Sequence, residues 1–109
     1  MDKNTEQKIS ELQMIEQNLQ QLMVQKQNSQ MYLVEVENAL EELKKNVKEV
    51  YKIVGQVMIN TEKNEVEKDL NSKKEMLNLK ISKVEKQEEK FRESIQEIQK
   101  EILEKMNKR

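Results

Sequence analysis

Val50-Tyr51-Lys52-Ile53-Val54-Gly55-Gln56-Val57-Met58-Ile59-Asn60-Thr61 is the one stretch of this 109-residue chain that does not read as helix, and its reading decides the fold. Val50, Ile53, Val54, Val57, Ile59 and Thr61 are β-branched, a side-chain type that loses rotamer freedom in a helix and packs well on a pleated strand. At its centre stands Gly55, the only glycine in the chain. A two-residue type II′ turn needs φ > 0 at its first central position, which glycine adopts without strain. The stretch therefore predicts a β-hairpin over residues 50–61 with its turn at Gly55-Gln56.

Working outward, both flanks carry heptad repeats. On the N-terminal side Leu12, Leu19, Lys26, Leu33, Leu40 and Val47 are spaced by seven, and so are Ile15, Leu22, Ser29, Val36, Leu43 and Val50. The two series alternate by three and four, which is the a/d seam of a left-handed coiled coil. This predicts a first helix over residues 5–48, with a polar break at Lys26 and Ser29. On the C-terminal side Thr61 and Asn64 compete as helix caps, Asn64 with Glu67 three positions later, and a second helix is predicted over residues 64–108. Its seam runs Leu70, Lys74, Leu77, Ile81, Val84, Glu88, Phe91, Ile95, Ile98, Ile102 and Lys105.

Two heptad arms joined by a short hairpin fold back as an antiparallel coiled coil. Pairing a with d positions at a constant sum of 117 matches Leu12 with Lys105, Leu19 with Ile98, Leu33 with Val84, Leu40 with Leu77 and Val47 with Leu70. That register puts the fold-back point near Met58 and Ile59 and sets Ser29 opposite Glu88, with Lys26 one layer away. A Lys26–Glu88 pair is then a candidate for fixing helix register, a role attested for polar a-position residues. The fold class is mainly α: a long antiparallel two-helix coiled coil, one domain over residues 1–109, with a β-hairpin at the fold-back point.

Composition agrees with this architecture and removes several function classes. Charged residues make up 38% of the chain against 35% apolar, with one Phe, two Tyr and no Trp, so an ordinary globular core cannot be filled. Twenty basic against 21 acidic residues leave a net charge of -1, which argues against a nucleic-acid binder. There is no Cys and no His, hence no thiolate chemistry and none of the commonest acid-base and metal-binding side chain. The carboxylates sit beside lysines at helix-surface spacing, the pattern of a solvated face. No catalytic, cofactor-binding or metal-binding constellation is present, and the chain reads as a binding or scaffolding element, not an enzyme. The N-terminus lacks an apolar signal region, no stretch approaches a membrane span, and neither Trp nor a dense basic face supports a membrane-surface helix. A soluble, cytoplasmic protein without membrane partners is expected.

Two surfaces invite partners. A lone hairpin is marginal in water, and Tyr51, Ile53, Val54, Val57, Met58 and Ile59 point to both of its faces, so hairpins of several subunits are expected to assemble into an intersubunit β-barrel. At the other end of the arms Ile9, Leu12, Met14 and Ile15 would meet Ile98, Ile102, Leu103 and Met106, giving a flexible Met-containing apolar patch suited to promiscuous binding.

Ala39-Leu40-Glu41-Glu42-Leu43, Val50-Tyr51-Lys52-Ile53-Val54-Gly55, Val57-Met58-Ile59 and the run from Lys83 to Phe91 together resemble the β-class subunit of archaeal prefoldin. The resemblance implies a hexamer of two α-type and four β-type subunits, a double β-barrel platform and six coiled-coil tentacles. Their tips would hold unfolded proteins and pass them to a chaperonin without ATP. By position, Tyr51, Ile53, Val54, Gly55, Val57 and Ile59 fall on the oligomerisation hairpin, and Ile9, Leu12, Ile15, Ile102, Leu103 and Met106 on the client-binding tips. The chain departs from the family pattern at Lys44-Lys45-Asn46-Val47-Lys48-Glu49, which stands without proline where members often carry a Pro-Asp loop. The N-terminal segment likewise lacks the family's proline-containing lead-in. The competing expectation is a structural coiled-coil oligomerisation or linker protein that binds no client.

Overall fold

A computed structural model describes residues 2–107. A 42-residue helix, α1 (Lys3–Lys44), leads into strands β1 (Val50–Val54) and β2 (Val57–Thr61), and a 45-residue helix, α2 (Lys63–Asn107), follows. The strands pair antiparallel, with Val50 opposite Thr61 and Val54 opposite Val57. Gly55 has φ +61°, and Gln56 has none of the positive φ that a type I′ turn would also require there, so the type II′ reading holds. A side chain at Gly55 would meet no neighbouring atom, so the demand for glycine is conformational, not steric.

The helix ends differ from those expected. α1 begins two residues early because Asp2 caps it: Asp2 Oδ1 accepts the Thr5 amide at 2.7 Å, and the Asp2 carbonyl accepts the Glu6 amide at 3.1 Å. Hydrogen bonds from Thr5 hold the Asp2 carboxyl below its ordinary value of 3.8. α1 stops at Lys44, not at 48. The Lys45 amide bonds the Glu42 carbonyl at 3.2 Å and the Val47 amide bonds the Lys45 carbonyl at 2.8 Å, a tightened last turn followed by a three-residue turn. Val47, expected in the seam, is therefore exposed. At the start of α2 neither Asn64 nor Thr61 is the cap. The Glu62 carbonyl takes the first helical bond, from the Val66 amide at 3.2 Å, while the Thr61 hydroxyl donates to Glu65. The expected end at residue 108 lies outside the described residues.

The chain divides into two compact units, Met1–Gln27 with Ser82–Arg109 and Asn28–Ile81. Each unit takes a segment from both helices, because residues along a paired-helix seam touch only neighbours within a turn or two. The seam itself follows the heptads. Leu22, Val36, Leu43, Val84 and Ile98 are buried, and Leu12, Ile15, Leu19, Leu33, Leu40, Leu70, Leu77, Ile81, Phe91 and Ile95 are half-buried.

The register differs from the expected sum of 117. In the first unit Lys8 pairs with Glu101, a sum of 109, and Lys26 with Glu88, a sum of 114. A groove in that unit is bordered by Asn18, Leu22 and Gln25 of α1 and by Gln87, Lys90 and Phe91 of α2. In the second unit the hairpin partners sum to 111, and a groove is bordered by Leu40, Glu41 and Lys44 with Glu67, Asn71 and Lys74. Apart from the Lys26–Glu88 pair, which falls between the two, these fit a register of 110, one heptad from 117. It sets Leu40 opposite Leu70 and Ser29 opposite Ile81, not Glu88. Shifting by seven keeps every a position facing a d position, so the seam accepts either register. The turn at Gly55-Gln56 selects between them, since its own strand pairs sum to 111.

Candidate interaction surfaces

The hairpin of the second unit displays apolar side chains on both faces. Alternation along paired strands puts Tyr51, Ile53 and Met58 on one face and Val54, Val57 and Ile59 on the other. All six are exposed, from 48% for Ile59 to 70% for Ile53. The sheet has two strands, so each leaves one edge of amide and carbonyl groups unpaired among the described residues. Two polar contacts orient the base of the hairpin. Lys52 Nζ lies 3.6 Å from Asp69 Oδ2 on α2, and the Tyr51 hydroxyl donates to Glu49 Oε2 at 2.6 Å. That bond, with a smaller contribution from desolvation, raises the Tyr51 phenol above its ordinary value of 10.0. Gly55 contributes conformation alone, through the turn.

The first unit brings the start of α1 and the end of α2 together. Lys8 Nζ lies 2.8 Å from Glu101 Oε2, and this bonded carboxylate raises the Lys8 ammonium above its ordinary value of 10.5. Of the six tip residues, Leu12, Ile15 and Ile102 are half-buried in the seam and Ile9 is half-buried beside it, whereas Leu103 and Met106 are 60% and 59% exposed. Met14, off the seam on α1, is exposed as well. The accessible part of this end is thus Met14, Leu103 and Met106 over a partly covered aliphatic seam.

Lys26 and Glu88 do meet. The Lys26 ammonium lies 3.1 Å from Glu88 Oε1 and 3.2 Å from Oε2, with hydrogen-bond geometry only at Oε2. Oε1 is buried without a hydrogen bond, and Arg92 Nη2 is 3.9 Å from Oε2. The Glu88 side chain is 8% exposed and the Lys26 side chain 26%. In the 110 register the two are offset by four residues and in the 117 register by three, both within a lysine's reach. The pair therefore satisfies a polar layer without itself distinguishing the two registers.

Among the described residues no group of three or more His, Cys, Asp or Glu side chains could hold a metal ion, and no helix is long and apolar enough to cross a membrane. Sequence reasoning passed over several exposed apolar side chains: Val24, Met31, Tyr32 and Val34 on α1, and Met76 and Leu79 on α2. The signal was available as gaps in the charge pattern, since Gln27–Val34 and Met76–Leu79 carry no charge in a chain that is 38% charged.

A family model described as prefoldin subunit matches residues 6–109. The prefoldin subunit beta of Saccharolobus islandicus is 36% identical over 81 residues, covering 66% of this chain and 64% of that protein. The prefoldin subunit beta of Archaeoglobus fulgidus is 43% identical over 68 residues, covering 61% of this chain and 59% of that protein. The chain thus spans somewhat less than two thirds of the length of these curated relatives. The crystal structure of the prefoldin beta subunit from Thermococcus strain KS-1 superposes with a TM-score of 0.85 at 30% identity, covering 93% of this chain and 90% of that one.

Proposed function

Because the chain belongs to the prefoldin subunit family, a family of chaperones, we propose that it is an ATP-independent holdase subunit that captures unfolded proteins at its helix tips and delivers them to a chaperonin. The observation that carries the reading is the exposure of Leu103 and Met106 beside a half-buried aliphatic seam in the unit that holds the start of α1 and the end of α2. Such side chains offer shallow contacts that an unfolded apolar segment can share without a fixed geometry. Each contact is weak, so useful affinity comes from several tips acting on one client.

The hairpin supports assembly. Six apolar side chains on two exposed faces, with two open edges, favour burial against hairpins of other subunits, and we assign Tyr51, Ile53, Val54, Gly55, Val57 and Ile59 to that contact. The partner is a prefoldin α-type subunit in a hexamer of two α and four β chains, acting in the cytoplasm. The role is one of binding alone; it employs no cofactor and no catalytic step. Removing residues 1–12 and 103–109 tests it. Suppression of aggregation of a denatured client is expected to disappear while native mass shows the assembly intact. A truncated protein that still protects the client refutes tip capture and favours the structural linker.

A further inference from the structure

Of the seven methionines, the six among the described residues, Met14, Met23, Met31, Met58, Met76 and Met106, are all exposed, from 39% for Met23 to 69% for Met76. None stands in the heptad seam, whose buried apolar side chains are Leu22, Val36, Leu43, Val84 and Ile98. Methionine is ordinarily an adaptable filler of cores, so its confinement to the surface separates two kinds of apolar side chain here. Branched aliphatic ones hold the helices together, and thioethers face outward. The chain has no Cys and no Trp, which leaves the methionine sulfur as its readily oxidised group.

A single exposed methionine is ordinary, but Met106 differs by its place. It stands three residues after Leu103 on α2, so the two share one face of the helix, at 59% and 60% exposure. They are the apolar side chains left open at the end of α2, and one of the two is a thioether. A hydroperoxide transfers one oxygen atom to that sulfur. The sulfur lone pair forms the S–O bond as the O–O bond breaks, sulfur is oxidised by two electrons, and hydrogen peroxide is reduced to water. The product carries a polar S=O that stays hydrated and opposes burial against an apolar client segment. With every described methionine outside the seam, the same chemistry puts no polar group between the helices.

We propose that Met106 is a site of reversible oxidation to the sulfoxide, and that this modification releases clients from the tip while the helix pair stays folded. The proposal rests on the client-holding reading above. Release is steep because tips act together: a fall of about threefold at each tip compounds to about tenfold when two tips share one client. Reversal uses methionine sulfoxide reductases of both epimer classes with a dithiol as reductant; the sulfoxide oxygen leaves as water and the dithiol becomes a disulfide.

The assembled protein is treated with hydrogen peroxide, the peroxide is removed with catalase, and conversion at each methionine is read by peptide mass spectrometry. The probe is reduced, carboxymethylated α-lactalbumin, an unfolded chain that stays soluble, titrated before and after treatment. Wild-type affinity is expected to fall about tenfold, with native mass and helical circular dichroism unchanged, and to return after incubation with both reductases and dithiothreitol. Met106→Leu, compared with its own untreated sample, is expected to lose no affinity to peroxide. Met106→Gln, which fixes a polar side chain of similar length, is expected to bind about tenfold more weakly than wild type with no peroxide at all. An equal fall in wild type and Met106→Leu overturns the proposal by placing the sensitive sulfur elsewhere, on the hairpin at Met58 if native mass falls in both. Undiminished binding by fully converted wild type or by Met106→Gln overturns it too, and a fall that the reductases do not reverse overturns the reversibility. If untreated wild type does not bind the probe, the client-holding reading falls and the oxidation site with it.

Discussion

Replacing Lys26 by Met leaves the Glu88 carboxylate, 8% exposed and with Oε1 already lacking a hydrogen bond, without the ammonium that now sits 3.1–3.2 Å from its oxygens. Removing one partner of a buried ion pair costs about 3–5 kcal/mol, because the remaining charge stays desolvated. Two features lower the figure here. The Lys26 side chain is 26% exposed, so the pair is only partly desolvated, and Arg92 Nη2 remains 3.9 Å from Oε2. Lys26→Met is therefore expected to destabilise by about 2–3 kcal/mol. Glu88→Gln does less, about 1 kcal/mol, since the lysine stem can carry its charge out to water. Replacing both by Leu removes the desolvation penalty along with the pair, and the double variant is expected to be at least as stable as wild type and up to about 2 kcal/mol more stable. The assay is urea unfolding followed by helical circular dichroism at one protein concentration, because assembly makes apparent stability depend on it. A Lys26→Met variant within about 0.5 kcal/mol of wild type would refute the buried-charge reasoning. A double-Leu variant less stable than Lys26→Met alone would refute it in the other direction and assign the pair a positive role in holding register.

The hairpin and the first turn of α1 give two further outcomes. Ile53 and Val57 lie on opposite faces of the hairpin, so Ile53→Asp with Val57→Asp charges both and is expected to dissociate the assembly; native mass falls while helical circular dichroism is kept, and an unchanged mass removes the hairpin from the interface. The Asp2 carboxyl is held below 3.8, so its cap stabilises the helix start above pH 3.8 and is lost as pH falls through the lower value. The Thr5 amide resonance should titrate with a midpoint below 3.8 and stop titrating in Asp2→Asn, whereas a midpoint at or above 3.8 contradicts the cap.

The elements and their order were legible in the residues. The β-branched run around Gly55 marked the strands, and the turn type followed from a single residue whose φ is +61°. The alternation of three and four marked the seam, down to Ser29 and Glu88, which are buried where the heptad puts them. Element ends were less legible, because they depend on single bonds. Asp2 caps α1 through one amide at 2.7 Å, and the Glu62 carbonyl, a backbone group with no sequence signature, starts α2. Of the six residues expected at the tips, Leu12, Ile15 and Ile102 are half-buried in the seam, Ile9 is half-buried beside it, and Leu103 and Met106 are exposed, a distinction that depends on helix pairing.

By itself the sequence determined which segments are helix and strand, that the helices run antiparallel, and which positions face the seam, because these follow from periods of two and 3.5 residues and from one glycine. It did not determine the register. A heptad seam looks the same after a slide of seven residues, so 117 and 110 both align a with d, and Lys26 reaches Glu88 in either. Only the tertiary structure decided between them: the two-residue turn at Gly55-Gln56 pairs strand residues that sum to 111, and the helices close in the register that continues from it. That choice decided which seam residues face one another, Leu40 with Leu70 and Ser29 with Ile81, while the off-seam positions are the same in either register.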